Sequence, residues 1–251
     1  MNILRKIIAA GNRFKRARNL GFTFFRTKSF SPPSIISFFN KRLPLFLPDE
    51  EGVTELFRDI ILDDEYWLES IPENQVNTVL DVGANIGIFA LAARIRFPQA
   101  CIHAYEPNVQ VKPFLDKQAS TFDFKAIYEA IGMHDGKGVM ETNIGCDTAG
   151  RVSPLDDGNI KITSLSEAID RFEDQSIDLL KLDCEGHEHD IIDGNKSNGP
   201  LNRCRFLSME YHLGTDMDES SIILKLEKLN FKILRTSSRN AVIGNILAER
   251  N

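Results

Sequence analysis

Two short stretches hold most of the residues that could do chemistry. Asp183-Cys-Glu-Gly-His-Glu-His-Asp190 crowds six acidic or histidine side chains behind the apolar run Ile177–Leu182. Charges at the end of a buried strand cost desolvation unless they are solvated or paired. A helix N-terminus accounts for Glu188 and Asp190, because carboxylates there face the positive end of the helix dipole. It accounts poorly for Asp183 and His187. The other stretch is Thr78-Val-Leu-Asp-Val-Gly-Ala-Asn-Ile-Gly-Ile-Phe89, where Gly83 and Gly87 let the backbone turn tightly and approach a ligand. Further on, His103-Ala-Tyr-Glu-Pro-Asn108 carries a single acid, Glu106, able to accept both hydroxyls of a ribose. A glycine loop after one strand and an acid after the next describe an adenosine site.

The elements that must position these groups follow from periodicity. Apolar runs at 76–82, 100–105, 124–131, 177–182 and 205–211 read as strands, with 231–234 and 241–247 as a closing pair. Helical spacing over 86–97, 109–118, 164–171, 187–192 and 219–229 separates them. Such alternation predicts a largely parallel sheet covered on both faces, with ligands at the carboxyl ends of its strands. Residues 132–143 read as turn-rich, with an extended piece at Val139–Thr142. Helical spacing also marks Val53–Leu62, and the aromatic pair Tyr66-Trp67 precedes the first strand as a lid or, more commonly for aromatics there, a cover for the sheet edge.

The identity of the adenosine ligand turns on detail. A dinucleotide loop requires G-x-G-x-x-G, but Asn85 and Ile88 stand where glycines should be. A P-loop is excluded by the lack of its lysine. D-x-G-x-N-x-G over 81–87 instead resembles motif I of the S-adenosylmethionine (SAM) dependent methyltransferases. Together with Asp178-Leu-Leu-Lys-Leu-Asp-Cys-Glu-Gly-His-Glu188, Glu106-Pro-Asn108, Ala130-Ile-Gly132 and Met209-Glu-Tyr-His212, it resembles the FkbM family of these enzymes over roughly residues 53–248. Cys184 stands where Val or Ile is more usual, which leaves the chemistry untouched. The resemblance implies an α/β class I fold: a seven-stranded, mostly parallel sheet with helices on both faces and an antiparallel last strand. It implies SAM as cofactor, held by Asp81, Gly83, Ala84, Asn85, Gly87, Glu106, Pro107 and Asp183. It also implies O-methylation of a small molecule or sugar. A nucleotide-binding oxidoreductase of similar fold and a non-catalytic adapter are the alternatives.

Methyl transfer to oxygen needs donor and acceptor held in line, and a base for the hydroxyl proton. Asp183, His187, Glu210 and His212 are the candidates at neighbouring strand ends. By family position Asp183 belongs to the methionine part of SAM. His187 is the preferred base, since an imidazole ordinarily titrates near pH 6.5, and His212 is second. The same group could hold a divalent cation, its oxygen-rich ligands favouring magnesium. No ligand spacing is diagnostic, and no metal is assigned.

Charge divides the chain. Residues 1–48 hold ten Lys or Arg, no acid, and eight of the 17 phenylalanines, while the remaining 203 residues hold 20 basic and 36 acidic side chains. An acidic body argues against tracking nucleic-acid phosphates. The basic, Phe-rich segment 1–48 is read as an arm, with 31–48 a proline-rich linker, attached to a catalytic domain at 49–251. Within it, 1–20 fit an amphipathic helix: Ile3, Ile7, Ala10 and Phe14 lie on one side, with Arg5, Lys6, Arg13 and Arg16 opposite. Four fates suit such a segment: packing on the body, pairing with a second subunit, peripheral contact with an anionic membrane, or organelle targeting. No apolar run is long enough to span a bilayer, and no signal peptide is recognised. Four scattered cysteines without CxxC spacing read as reduced thiols, so a cytoplasmic and membrane-associable protein is expected.

Overall fold

The computed structural model describes residues 3–24, 30–142, 150–184, 186–195, 199–213 and 218–251, with the side chains of 3–6, 142 and 151 outside the description. Glu185 and residues 143–149, Cys146 among them, therefore lie outside it.

The chain begins with helix α1 (Ile3–Asn19) and a hairpin, β1 (Ile35–Phe38) and β2 (Lys41–Pro44). The hairpin stands where prolines had suggested a linker. Pro44 ends β2, and its turn is made by Phe39 and Asn40, both at positive φ. Helix α2 (Val53–Phe57) runs on through a π-turn at Arg58–Leu62.

Strand and helix then alternate: β3 (Thr78–Val82), α3 (Ile88–Arg96), β4 (Cys101–Tyr105), α4 (Lys112–Phe122) and β5 (Lys125–Ile127). A run of short strands follows, β6 (Ala130–Gly132), β7 (Gly136–Thr142), β8 (Gly150–Pro154) and β9 (Ile160–Ser164). The chain closes with α5 (Leu165–Asp170), β10 (Ile177–Leu182), α6 (Glu188–Gly194), β11 (Cys204–His212), α7 (Glu219–Lys228), β12 (Phe231–Ser238) and β13 (Ile243–Arg250).

Seven strands form the main sheet in the order β12-β13-β11-β10-β3-β4-β5. The pairs from β11 to β5 are parallel, and β13 runs antiparallel to both of its neighbours. This is the expected α/β class I arrangement, last strand included. Strand side chains alternate between faces. Val79, Ile102, Leu179 and Phe206 join a core with α2, α3 and α4, while Leu80, Val82, Leu180 and Leu207 join another with α5, α6 and α7.

A second sheet, β6-β9-β7-β8, was not anticipated. The run read as one strand over 124–131 is two, β5 in the main sheet and β6 in the second. They part at Glu129, whose carboxylate accepts hydrogen bonds from Lys161, Thr163 and Arg171. Burial would raise its pKa, but these donors hold it down at about 2.

The charge boundary at residue 48 does not divide the core. Ala17, Leu20, Phe30, Ile36 and Leu45 are buried in the same apolar cluster as Phe57, Phe89 and Val79. Arg13 pairs with Asp63, and Arg16 bridges Glu69 at 2.7 Å and the Leu62 carbonyl at 2.6 Å.

Candidate active site

A cavity of about 790 Å³ opens at the carboxyl ends of β3, β4 and β10, closed on its far side by the second sheet. Parallel strands place their following loops here, so residues distant in sequence share one wall. Gly83, Ala84 and Asn85 come from the loop after β3, Glu106 and Pro107 from that after β4, Asp183 and His187 from that after β10, and Asp190 from the first turn of α6. Met133, Lys137, Val152 and Leu155 line the opposite wall.

The β3 loop is shaped from behind. Gly83 has φ +77°, and a Cβ built on it would lie 1.8 Å from the Asp183 carbonyl oxygen. Its close approach is thus to the end of β10. Gly87, at φ +84°, precedes α3, and a Cβ there would meet Leu115 and Phe124 at 3.0 Å. Gly87 does not line the cavity; it lets α3 pack against α4.

Asp81 lies behind the loop as well, fully buried and outside the cavity lining. Its register partner on β10 is Lys181, whose ammonium lies 3.4 Å from Asp81, 3.3 Å from Asp183, and donates to the Gly83 carbonyl at 2.6 Å. Burial raises the Asp81 pKa and Lys181 opposes it. The ammonium stays charged because its two carboxylate neighbours outweigh burial. Lys181 was not recognised from sequence, although a lysine enclosed by leucines in Ile177-Asp-Leu-Leu-Lys-Leu182 is itself a signal for a buried ion pair.

Tyr66 completes this cluster. Its hydroxyl donates to Asp183 Oδ2 at 2.9 Å, its backbone carbonyl accepts from Ser208 at 2.9 Å, and its ring packs edge-on against Phe89. Burial first, then the Asp183 carboxylate, raises its pKa well above the usual value. Tyr66 therefore reaches the end of β10 and fixes Asp183.

Glu106 faces the cavity with 8% of its surface exposed. Its two oxygens each accept one backbone N–H, from Asn85 and Asn108, both at 2.8 Å. Burial nevertheless pushes its pKa up to about 7. A carboxylate oxygen has capacity beyond one such bond, so this carboxylate at the cavity wall fits the vicinal hydroxyls of a nucleoside. The Gly83-Ala84-Asn85 turn beside it gives the base and chain a close backbone wall. These residues fit SAM.

The four candidate bases separate into two groups. Asp183 and His187 line the cavity. His187 Nδ1 lies 3.0 Å from Asp190 Oδ2, an orienting contact that sequence reading had reduced to a helix-terminal charge. Glu210 and His212 are outside the cavity lining, 3.5 Å from each other. There Glu210 approaches Arg239 at 3.5 Å, and its pKa is raised to about 7, by burial first and then by Asp183. Glu188 is fully buried and accepts from the amides of Cys184 and Gly186, at 2.7 and 3.0 Å, so it braces the turn.

The model of the methyltransferase FkbM domain matches residues 81–233, which carry every loop that builds the cofactor side of this cavity. Hexuronic acid methyltransferase AglP of Haloferax volcanii is 26% identical over 181 residues, 70% of this chain and 73% of that protein. The 31-O-demethyl-FK506 methyltransferase FkbM of Streptomyces tacrolimicus is 40% identical over 52 residues, 21% of this chain and 20% of that one. Among solved structures, precorrin-6y C5,15-methyltransferase from Geobacter metallireducens aligns with a TM-score of 0.48 and 12% identity, covering 82% of this chain and 94% of that one. The family match displaces the oxidoreductase and adapter alternatives: this chain belongs to the FkbM family of methyltransferases, enzymes whose cofactor is S-adenosylmethionine.

Proposed function

We propose that this methyltransferase acts on a hydroxyl of a small polar acceptor, a sugar or sugar-like compound, and that His187 removes the acceptor's proton. The observation that carries this reading is the His187–Asp190 pair, 3.0 Å apart in the wall of the cavity that also holds Glu106. SAM supplies an electrophilic methyl group on a sulfonium. The chain's own task is to hold the acceptor and move one proton. With Nδ1–H donating to Asp190, the basic lone pair of His187 is on Nε2, which takes the hydroxyl proton as the oxygen becomes nucleophilic. Asp190 holds the ring and stabilises the imidazolium that forms. Glu106 would hold the ribose and the Gly83–Asn85 turn the rest of the nucleoside.

Asp135, Lys137 and Asp156 on the second-sheet side offer donors and acceptors for a hydroxyl-rich acceptor. The similarity to a hexuronic acid methyltransferase supports the same class.

The test is transfer of a labelled methyl group to sugar and small-molecule fractions, comparing wild type with His187→Ala. The variant should lose about 10²-fold in kcat with SAM affinity nearly intact. Undiminished turnover would refute His187 as the base. Loss of activity with EDTA and recovery with magnesium would replace the general base by a metal.

A further inference from the structure

Helix α1 docks on the body by the side that its sequence pattern assigns to water. At about 100° per residue, Arg13, Arg16, Ala17 and Leu20 share one side. Ala17 and Leu20 are buried, and the two arginines are tied to Asp63 and Glu69. Ile7 and Phe14 lie on the opposite side, with Ile8 at its margin, and these side chains are 63%, 48% and 54% exposed. A surface helix ordinarily turns its apolar stripe inward. Here the stripe faces out and the inward side is held by charge.

The exposure is concentrated. Among the described residues, five of the ten exposed large apolar side chains belong to the first 48: Ile7, Ile8, Phe14, Ile35 and Phe39. Phe39, 59% exposed, tips the β1–β2 hairpin beside exposed Lys41 and Arg42. The hairpin is tied to the end of α1 through the Ser37 amide and the Leu20 carbonyl, at 2.8 Å.

Charge selects the occupant of this face. Helix α1 contains no acidic residue, and the charges of Arg13 and Arg16 are met by the body. Lys15 and Arg18 remain exposed on the same outward side, among its apolar residues toward the C-terminal end of the helix. A second copy packed on this face would add a second Lys15 and Arg18 with no acidic residue of α1 to meet them. An anionic lipid surface meets both features, taking apolar side chains at the acyl boundary and basic ones at the headgroups.

We propose that α1 is an interfacial anchor for an anionic membrane. Ile7, Ile8 and Phe14 enter the bilayer surface, Lys15 and Arg18 lie at the headgroups, and Arg13 and Arg16 mount the helix on the catalytic body. No described helix is long and apolar enough to cross a membrane, so attachment is peripheral and reversible.

The test is sedimentation of the full chain with vesicles of phosphatidylcholine containing phosphatidylserine, or of phosphatidylcholine alone. The protein should bind the anionic vesicles at low salt, and at least about tenfold more weakly at high salt or on neutral vesicles. Ile7→Glu with Phe14→Glu should lower binding at least about tenfold while thermal melting and SAM affinity match wild type, because both sites are solvent-exposed. Lys15→Glu with Arg18→Glu should abolish the preference for anionic lipid. No binding at low salt, or undiminished binding by the apolar double variant, would overturn the proposal. So would a wild-type dimer in analytical ultracentrifugation that the same variant converts to monomer, since that assigns the face to a second copy.

Discussion

In the proposed function Glu106 must be both buried and able to hold a ligand as an anion. Its carboxyl titrates near 7, above the ordinary 4.5, because burial outweighs two backbone donors. A raised carboxyl pKa means that the folded state binds the proton more tightly than the unfolded chain. Its contribution to stability is therefore complete below about pH 4.5 and lost as pH rises through 7. The ribose hydroxyls prefer the carboxylate, so SAM affinity should fall as pH drops below 7, approaching tenfold per pH unit. Calorimetric titration across that range measures it, and Glu106→Gln should flatten the profile. A flat wild-type profile in the same range would refute the assignment. At fixed neutral pH, Glu106→Ala should weaken SAM binding by about 1.5–3 kcal/mol through loss of charge-assisted hydrogen bonds. Asp183 offers a contrast. It is engaged by Tyr66 and Lys181, which suits a positioning role beside the cofactor better than proton transfer.

At the scale of elements, the decisive unit is the contact between the loop after β3 and the end of β10. Gly83→Ala places a methyl group against the Asp183 carbonyl at a positive φ, so neither the loop nor β10 can keep its position. This variant should melt several degrees lower and bind SAM more weakly in parallel. Glu188 braces the turn from β10 to α6 through the amides of Cys184 and Gly186. Glu188→Ala leaves both donors unmet and should cost about 1–3 kcal/mol in chemical denaturation, whereas Asp190→Asn should spare stability and lower turnover. Equal stability losses in the two variants would contradict this division of labour. These elements were legible in the sequence because β3, α3 and β10 are mostly apolar segments that alternate between strand-like and helix-like patterns. The second sheet was not. The extended piece at Val139–Thr142, within β7, is readable; the strands carry Gly132, Gly136, Gly138 and Gly150, and β6 pairs in parallel with β9 about thirty residues away, so the pairing is not marked locally.

At the scale of the molecule, the first 48 residues belong to the body they were expected to decorate. Phe30 stacks on Phe57, and Ile36 is 1% exposed. Removing residues 1–48 would uncover Phe57, Leu62 and their neighbours, and the shortened chain should lose its cooperative thermal transition. A sharp, unshifted melt of that fragment would show the segment to be dispensable. Charge is what misled: a run of ten basic residues reads as a separate arm, yet Arg13 and Arg16 are the residues that fasten it.

Sequence alone pointed to the loops of the candidate cofactor site, because its parts are local. A turn between β3 and α3 and an acid at the end of β4 are each a contiguous pattern, and parallel strand order brings them together without further information. Tertiary structure alone decided which of Asp183, His187, Glu210 and His212 face the cavity. Those positions depend on the pairing of β10 with β3 and β11, across about a hundred residues in one direction and some twenty-five in the other. It also decided which side of α1 is buried. An amphipathic helix states only that its two sides differ, and the acidic surface at Asp63, Asp64 and Glu69 selected the basic one.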